Sequence, residues 1–158
     1  MRKEVPMITT GDAAPDFTLI RDGGTEVTLS ASWPLVLFFY PGDSTPTCTT
    51  EAQAFSATVA AFHAKGVKVM GVSRDTLAKH DRFVAKSGLT VPLLVDEDGS
   101  VCNAYGVWAE KTTFGKTYMG IVRTTFLIGR DGRILHRWEV ARIKGHVDEV
   151  LAAVEAMG

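Results

Sequence analysis

Six apolar residues, Leu35-Val-Leu-Phe-Phe-Tyr40, stand between Pro34 and Pro41, and nothing else in the chain restricts the fold as much. The run is too short for a buried helix and offers no polar position to water, so it reads as a strand covered on both faces. Strands of that kind are parallel and central, with helices packed on the sheet. Val67 to Val72 reads the same way, and Val91 to Val95 in shorter form. Between the first two, Ala52, Phe55, Val59 and Phe62 recur at steps of three and four. They make one apolar helical face, which Gly66 stops.

Asp75 or Thr76 caps a second helix carrying Leu77, Phe83 and Val84 and ending at Ser87-Gly88. Thr25 to Leu29 alternates weakly after the turn Asp22-Gly23-Gly24, and Val101 and Cys102 open a short helix bearing Tyr105. Val122 to Ile128 and Arg133 to Glu139 flank Arg130-Asp-Gly132 as a hairpin. A last helix follows Gly145, with Asp148 and Glu149 in its first turn and Val147, Val150, Leu151 and Val154 facing inward. Strand, helix, strand, helix, strand, then hairpin and helix predicts an α/β sandwich, a central mixed sheet flanked by helices. Because the chain ends antiparallel, a thioredoxin-like architecture fits better than a doubly wound one.

With 158 residues, 46% of them hydrophobic, the chain makes one domain with a proper core. Residues 1–10 read as a loose N-terminal segment and 11–158 as the single domain. A net charge of −1, from 17 basic and 18 acidic residues without a basic stripe, argues against nucleic acid or an anionic membrane as partner. No apolar run is long enough for a bilayer, and Met1 to Met7 lacks the apolar stretch of a secretory signal. Two cysteines, Cys48 and Cys102, are too few for a disulfide framework or a structural zinc site. The expected address is cytoplasmic.

The stretch after the first buried strand is Pro41-Gly-Asp-Ser-Thr-Pro-Thr-Cys-Thr-Thr-Glu51. Thr45 before Pro46 is a helix start, with Thr at the cap and Pro at the first helical position. Cys48 then lies in the first turn, where backbone N–H groups and the macrodipole favour a thiolate, the nucleophilic form. Its place at the carboxyl end of a buried strand is where open α/β sheets bind ligands. The plain alternative is a small buried hydrophobe, as most free cysteines are. Reactivity also asks for a cation. Alternation puts Arg123 on one strand face with Ile121, Thr125 and Leu127, so it is either an edge residue or the partner of an acid or anion. Glu51, one turn beyond Cys48, is placed to orient such an arginine, or is a solvated first-turn acid.

Here the sequence resembles the peroxiredoxins. Pro41-x-x-x-Thr45-x-x-Cys48, continued by Thr-x-Glu51, looks like their active-site signature. Gly11-Asp-x-Ala-Pro-Asp-Phe17, Tyr105-Gly-Val-Trp108, Gly115-Lys-x-Tyr118 and Arg123-x-Thr-Phe-Leu-Ile128 extend the resemblance, to the peroxiredoxin Q or bacterioferritin comigratory protein subfamily, over nearly the whole chain. The resemblance implies a thioredoxin fold and a thiol-dependent peroxidase needing no metal or cofactor. It implies that Cys48 attacks a small peroxide, that Arg123 and Thr45 hold it, that Pro41 shields the thiolate and that Glu51 orients Arg123. The resulting sulfenic acid must be reduced by another thiol. A resolving cysteine often stands five residues after the peroxidatic one, but that position is Gln53, and the helix over Asp75 to Ser87 has none. Cys102 is the remaining thiol and a doubtful candidate. A one-cysteine cycle with thioredoxin or a glutathione/glutaredoxin-type reductant is therefore expected, in a monomer or weak homodimer. Two other readings stay open: a peroxide sensor relaying oxidation to a partner, and a non-catalytic thioredoxin-fold binding or holdase module.

Four histidines, His63, His80, His136 and His146, show no metal-ligand spacing and read as surface or helix-end residues. Asp96-Glu-Asp-Gly99 reads as a turn rather than a calcium loop. Trp108 and Tyr118 either pack in or near the core or wall a peroxide pocket or subunit contact.

Overall fold

The run between the two prolines becomes the middle of the sheet. A computed structural model describes residues 8–157; of the segment 1–10, residues 1–7 lie outside the described residues, as does Gly158. The first half of the chain holds β1 (Thr18–Ile20), β2 (Glu26–Thr28), β3 (Leu35–Phe39), α1 (Pro46–Ala64), β4 (Lys68–Ser73) and α2 (Leu77–Ser87). The second half holds β5 (Leu93–Val95), α3 (Ser100–Ala104), β6 (Trp108–Thr113), β7 (Lys116–Ile121), β8 (Thr124–Ile128), β9 (Ile134–Glu139) and α4 (His146–Glu155). Five strands form the central sheet in the order β5-β4-β3-β8-β9. β3, β4 and β5 run parallel, and β8 and β9 join antiparallel on the other side. The mixed sheet is as expected.

All of β3 is buried, and its alternation feeds two cores. Val36, Phe38 and Tyr40 face Phe55 and Phe62 of α1, Phe83 of α2, and Val147, Val150 and Val154 of α4. Leu35, Leu37 and Phe39 face Cys102 and Val101 of α3, Tyr105, Ile121 and Phe126. Phe55 stacks on Phe38 with ring centroids 4.6 Å apart, so truncating either leaves a cavity worth about 3–5 kcal/mol. Where α1 crosses the sheet, β4 has Gly71, because a Cβ there would meet the Phe38 ring at 2.7 Å.

The edges are covered, which blocks pairing with other chains. Arg21 bridges Leu94, and Asp22 exchanges two hydrogen bonds of 2.9 Å with Leu93 on the β5 side. Residues 11–13 pair with the start of β9, where the Gly11 N–H donates to the Ile134 carbonyl at 2.8 Å.

Element bounds move by a residue or two from expectation, and three points need correction. The pairs β1–β2 and β6–β7 are small separate sheets, and β6–β7 is absent from the sequence reading. The strand expected from Val122 starts at Thr124, so Arg123 lies in a two-residue link after β7. That link resets the alternation: Ile121 packs in the α3-side core, whereas Leu127 packs in the α1-side core. His80 is neither on the surface nor at a helix end but fully buried inside α2.

Candidate active site

Pro41 ends the buried strand, and the chain turns through Ser44, whose φ of 62° is a left-handed conformation rare for a residue with a side chain. Thr45 and Pro46 then start α1 as expected, but the Thr45 hydroxyl does not cap the helix. It donates to the Gly42 carbonyl at 3.3 Å, closing the loop on itself. The first bond of the helix runs from the Thr49 N–H to the Thr45 carbonyl at 2.8 Å, leaving the N–H groups of Thr47 and Cys48 without helical acceptors. Cys48 is the third residue of α1, with its side chain buried.

Arg123 reaches this first turn from just before β8, the strand beside β3, its own carbonyl held by the Val140 N–H at 2.9 Å. One guanidinium nitrogen, Nη2, donates to Cys48 Sγ at 3.2 Å, and the other, Nη1, donates to Glu51 Oε1 at 2.6 Å. The structure thus brings Cys48, Glu51 and Arg123 into contact. Burial works against the Arg123 charge, but Glu51 and Cys48 hold its proton more firmly than usual. For Glu51, fully buried, burial outweighs Arg123 and lifts the carboxyl to about 7. Oε2 of the same carboxyl has no hydrogen-bond partner among the described residues. His146, the first residue of α4, closes this corner: Thr125 Oγ1 lies 2.9 Å from its Nε2, and burial, helped by Arg123, lowers its affinity for a second proton.

Pro41 is exposed at the rim of an open cleft of about 370 Å³, walled also by Arg74, Trp108, Lys111, Tyr118 and Met119. Arg74 lies 4.5 Å over the Trp108 ring; part-buried Trp108 packs against the α3-side core and also walls the cleft, whereas Tyr118, 45% exposed, stands in its wall. Cys102 is elsewhere. It is fully buried in the core on the opposite face of the sheet from Cys48, its N–H donating to Asp96 Oδ2 at 2.8 Å. Burial, with Asp96 beside it, keeps that thiol protonated well beyond the ordinary range. The acid of Asp96-Glu-Asp-Gly99 therefore serves the start of α3, as the turn reading expects. Gln53, at the position where a resolving cysteine is often found, bonds the Ser87 carbonyl at 3.2 Å.

The sequence reading missed the anchor of the loop. Tyr40 donates its hydroxyl to Asp43 Oδ1 at 2.6 Å, and Asp43 Oδ2 lies 2.6 Å from His80 Nδ1. His80 Nε2 faces the Leu94 carbonyl at 2.8 Å, and Asp75 Oδ2 accepts from the Asp43 N–H at 2.8 Å and the Ser73 hydroxyl at 2.7 Å. Asp43, Asp75 and His80 have the composition of a metal site, but these hydrogen bonds already use their inward donors and acceptors. The available signal was helical spacing: His80 falls three residues before buried Phe83, on the inward face of α2.

Residues 10–137 match the AhpC/TSA family. The chain belongs to this family. It is similar to the peroxiredoxin Bcp of Xanthomonas campestris pv. campestris, 45% identical over 144 residues that cover 89% of each chain. The peroxiredoxin Bcp of Bacillus subtilis is 42% identical over 152 residues, covering 95% of this chain and 97% of the relative. A solved structure of the Xanthomonas campestris bacterioferritin comigratory protein, studied for alkyl peroxide reduction, superposes with a TM-score of 0.84 at 43% identity, covering 89% of this chain and 91% of that one. The fold is the thioredoxin-like one of these peroxiredoxins, and the family's activity is that of a thiol-dependent peroxidase with a peroxidatic cysteine. No helix among the described residues is long and apolar enough to cross a membrane.

Proposed function

We propose that Cys48 is the peroxidatic cysteine and that the chain reduces hydrogen peroxide and organic hydroperoxides. The observation that carries this reading is one guanidinium, that of Arg123, donating at once to Cys48 Sγ and Glu51 in the first turn of α1. A guanidinium beside sulfur favours its anionic form, and Glu51 fixes the direction in which Arg123 points. The thiolate attacks one peroxide oxygen: an S–O bond forms, the O–O bond breaks, and charge grows on the departing oxygen. Arg123, with the N–H groups of Thr47 and Cys48, supplies donors for that charge. The Thr45 hydroxyl positions the peroxide, and Pro41 keeps the rim of the site rigid and shields the sulfur. The cleft beside Pro41, with Trp108, Tyr118 and Met119 in its wall, suits the apolar tail of an organic hydroperoxide.

The sulfenic acid is returned to thiol by an external reductant, thioredoxin or a glutathione/glutaredoxin-type thiol, in a one-cysteine cycle. Two free cysteines suit a reducing, cytoplasmic compartment. The working unit is a monomer or weak homodimer. Stopped-flow tryptophan fluorescence tests the reading: hydrogen peroxide gives a fast change that Cys48→Ser abolishes, while slow consumption independent of Cys48 defeats it. Turnover with catalytic amounts of thiol reductant separates this peroxidase from a sensor that stops after one oxidation.

A further inference from the structure

Arg123 is one cation between two acids. Its Nη2 meets Cys48 Sγ at 3.2 Å and its Nη1 meets Glu51 Oε1 at 2.6 Å. Both acids are buried, at 1% and 0% exposure, and among the described residues Glu51 Oε2 has no hydrogen-bond partner. If thiolate and carboxylate were both ionised, the site would hold two negative charges against one guanidinium away from water, offset only by the partial positive charge of the α1 N-terminus, which burial disfavours. Charge balance leaves two arrangements, thiolate with carboxylic acid or thiol with carboxylate, and only the first is nucleophilic.

We propose that Cys48 and Glu51 share a single proton in the reduced enzyme, and that Glu51 stores the proton the thiol gives up. The idea rests on the peroxidatic role of Cys48. No other side chain named at this corner supplies a full compensating charge. His146 of α4 is held toward its neutral form by burial and by Arg123, and the exposed Glu149, 3.9 Å from His146 Nδ1, is itself an acid. Burial lifts Glu51 to about 7, which lets a proton reside there near neutral pH.

The stored proton completes the chemistry. Sulfur goes from thiolate to sulfenic acid in a two-electron oxidation, and the peroxide is reduced as its O–O bond breaks. The departing alkoxide or hydroxide ends as alcohol or water by gaining the proton from Glu51. Arg123 is then balanced by the Glu51 carboxylate beside a neutral sulfenic acid, so the site is charge-neutral before and after. Glu51 thus both orients Arg123 and supplies the proton that the departing oxygen gains.

Proton counting tests this on the full-length chain. One equivalent of hydrogen peroxide is added to reduced protein near pH 7 in weak buffer with a pH indicator. The wild type takes up about zero protons per Cys48 oxidised, because Glu51 supplies the one required. Glu51→Gln, followed to completion however slowly it reacts, takes up about one. An equal count in the two proteins overturns the proposal. Infrared difference spectra of the wild type alone give a second readout that does not depend on the variant folding. A carboxylic-acid C=O band sensitive to deuterium and lost on oxidation is expected, and no such band in the reduced protein also overturns the proposal. Retained peroxide reduction in Cys48→Ser overturns the reading beneath it and is a separate result.

Discussion

Arg123 divides its two terminal nitrogens between sulfur and carboxylate, and that division sets what each substitution does. Removing a preorganised donor to transition-state charge typically costs about 10²–10³ in rate, so Arg123→Ala is expected to slow Cys48 oxidation by that order. Stopped-flow measurement under single turnover checks it; activity held within about twofold would make Arg123 a packing residue. Arg123→Lys recovers little, since one ammonium lacks the planar fork that spans both partners. Glu51 gives a stability prediction with an unusual sign. Its folded value, about 7, lies above the ordinary 4.5, so its contribution is complete below 4.5 and lost as pH rises through about 7. An amide in place of the carboxyl stays neutral throughout. Glu51→Gln should therefore unfold at higher denaturant than the wild type at pH 8 and show no such advantage at pH 5; the reverse order would mean that Arg123 outweighs burial.

The loop from Pro41 to Thr45 owes its shape to α2 and β5, through the Asp43–His80 pair and the Leu94 carbonyl. Burial pushes the His80 charge away, but Asp43 and the Leu94 carbonyl more than restore it, so its folded value is raised above 6.5. The stabilisation is complete below about 6.5 and is lost as pH rises through that raised value. Breaking a buried pair by removing one partner costs roughly 3–5 kcal/mol, so His80→Gln should lose stability of that order at pH 6 and clearly less at pH 9. Urea unfolding at the two pH values measures it, and a pH-independent loss would assign His80 to packing alone. This anchor was illegible in the chain because its partners stand 37 and 14 residues from His80, and only the fold brings them together. The buried strands and α1 were legible, since burial on both faces and a helical repeat leave their mark residue by residue. The β6–β7 hairpin leaves no such mark: Lys116 to Met119 are all exposed. Its one local signal was Phe114-Gly115, both at positive φ, the conformation a tight hairpin turn requires. Alternation marks Arg123 as a candidate cation before its motif is considered, yet the strand face it assigns is wrong because the link after β7 interrupts that alternation.

At the scale of the whole molecule the sheet is a partition with one thiol on each side. Cys48 packs with α1 and α4 and Cys102 with α3, so the five-stranded sheet stands between them. A disulfide needs Cα atoms about 4.4–6.8 Å apart, which opening the first turn of α1 alone does not provide across a sheet. Cys102 would also have to leave a fully buried site and give up a proton that burial and Asp96 hold firmly, and a protonated thiol is a poor nucleophile. The proposed one-cysteine cycle needs an external reductant at Cys48. The expected outcome is that Cys102→Ser keeps thioredoxin-supported turnover within about twofold of the wild type. After one equivalent of peroxide, a non-reducing peptide map should find sulfenic acid at Cys48 and no Cys48–Cys102 link in the monomer. Finding that link, together with lost turnover in Cys102→Ser, would mean that the oxidised chain opens far beyond the active-site turn, because the central sheet itself would have to part before the two sulfurs met.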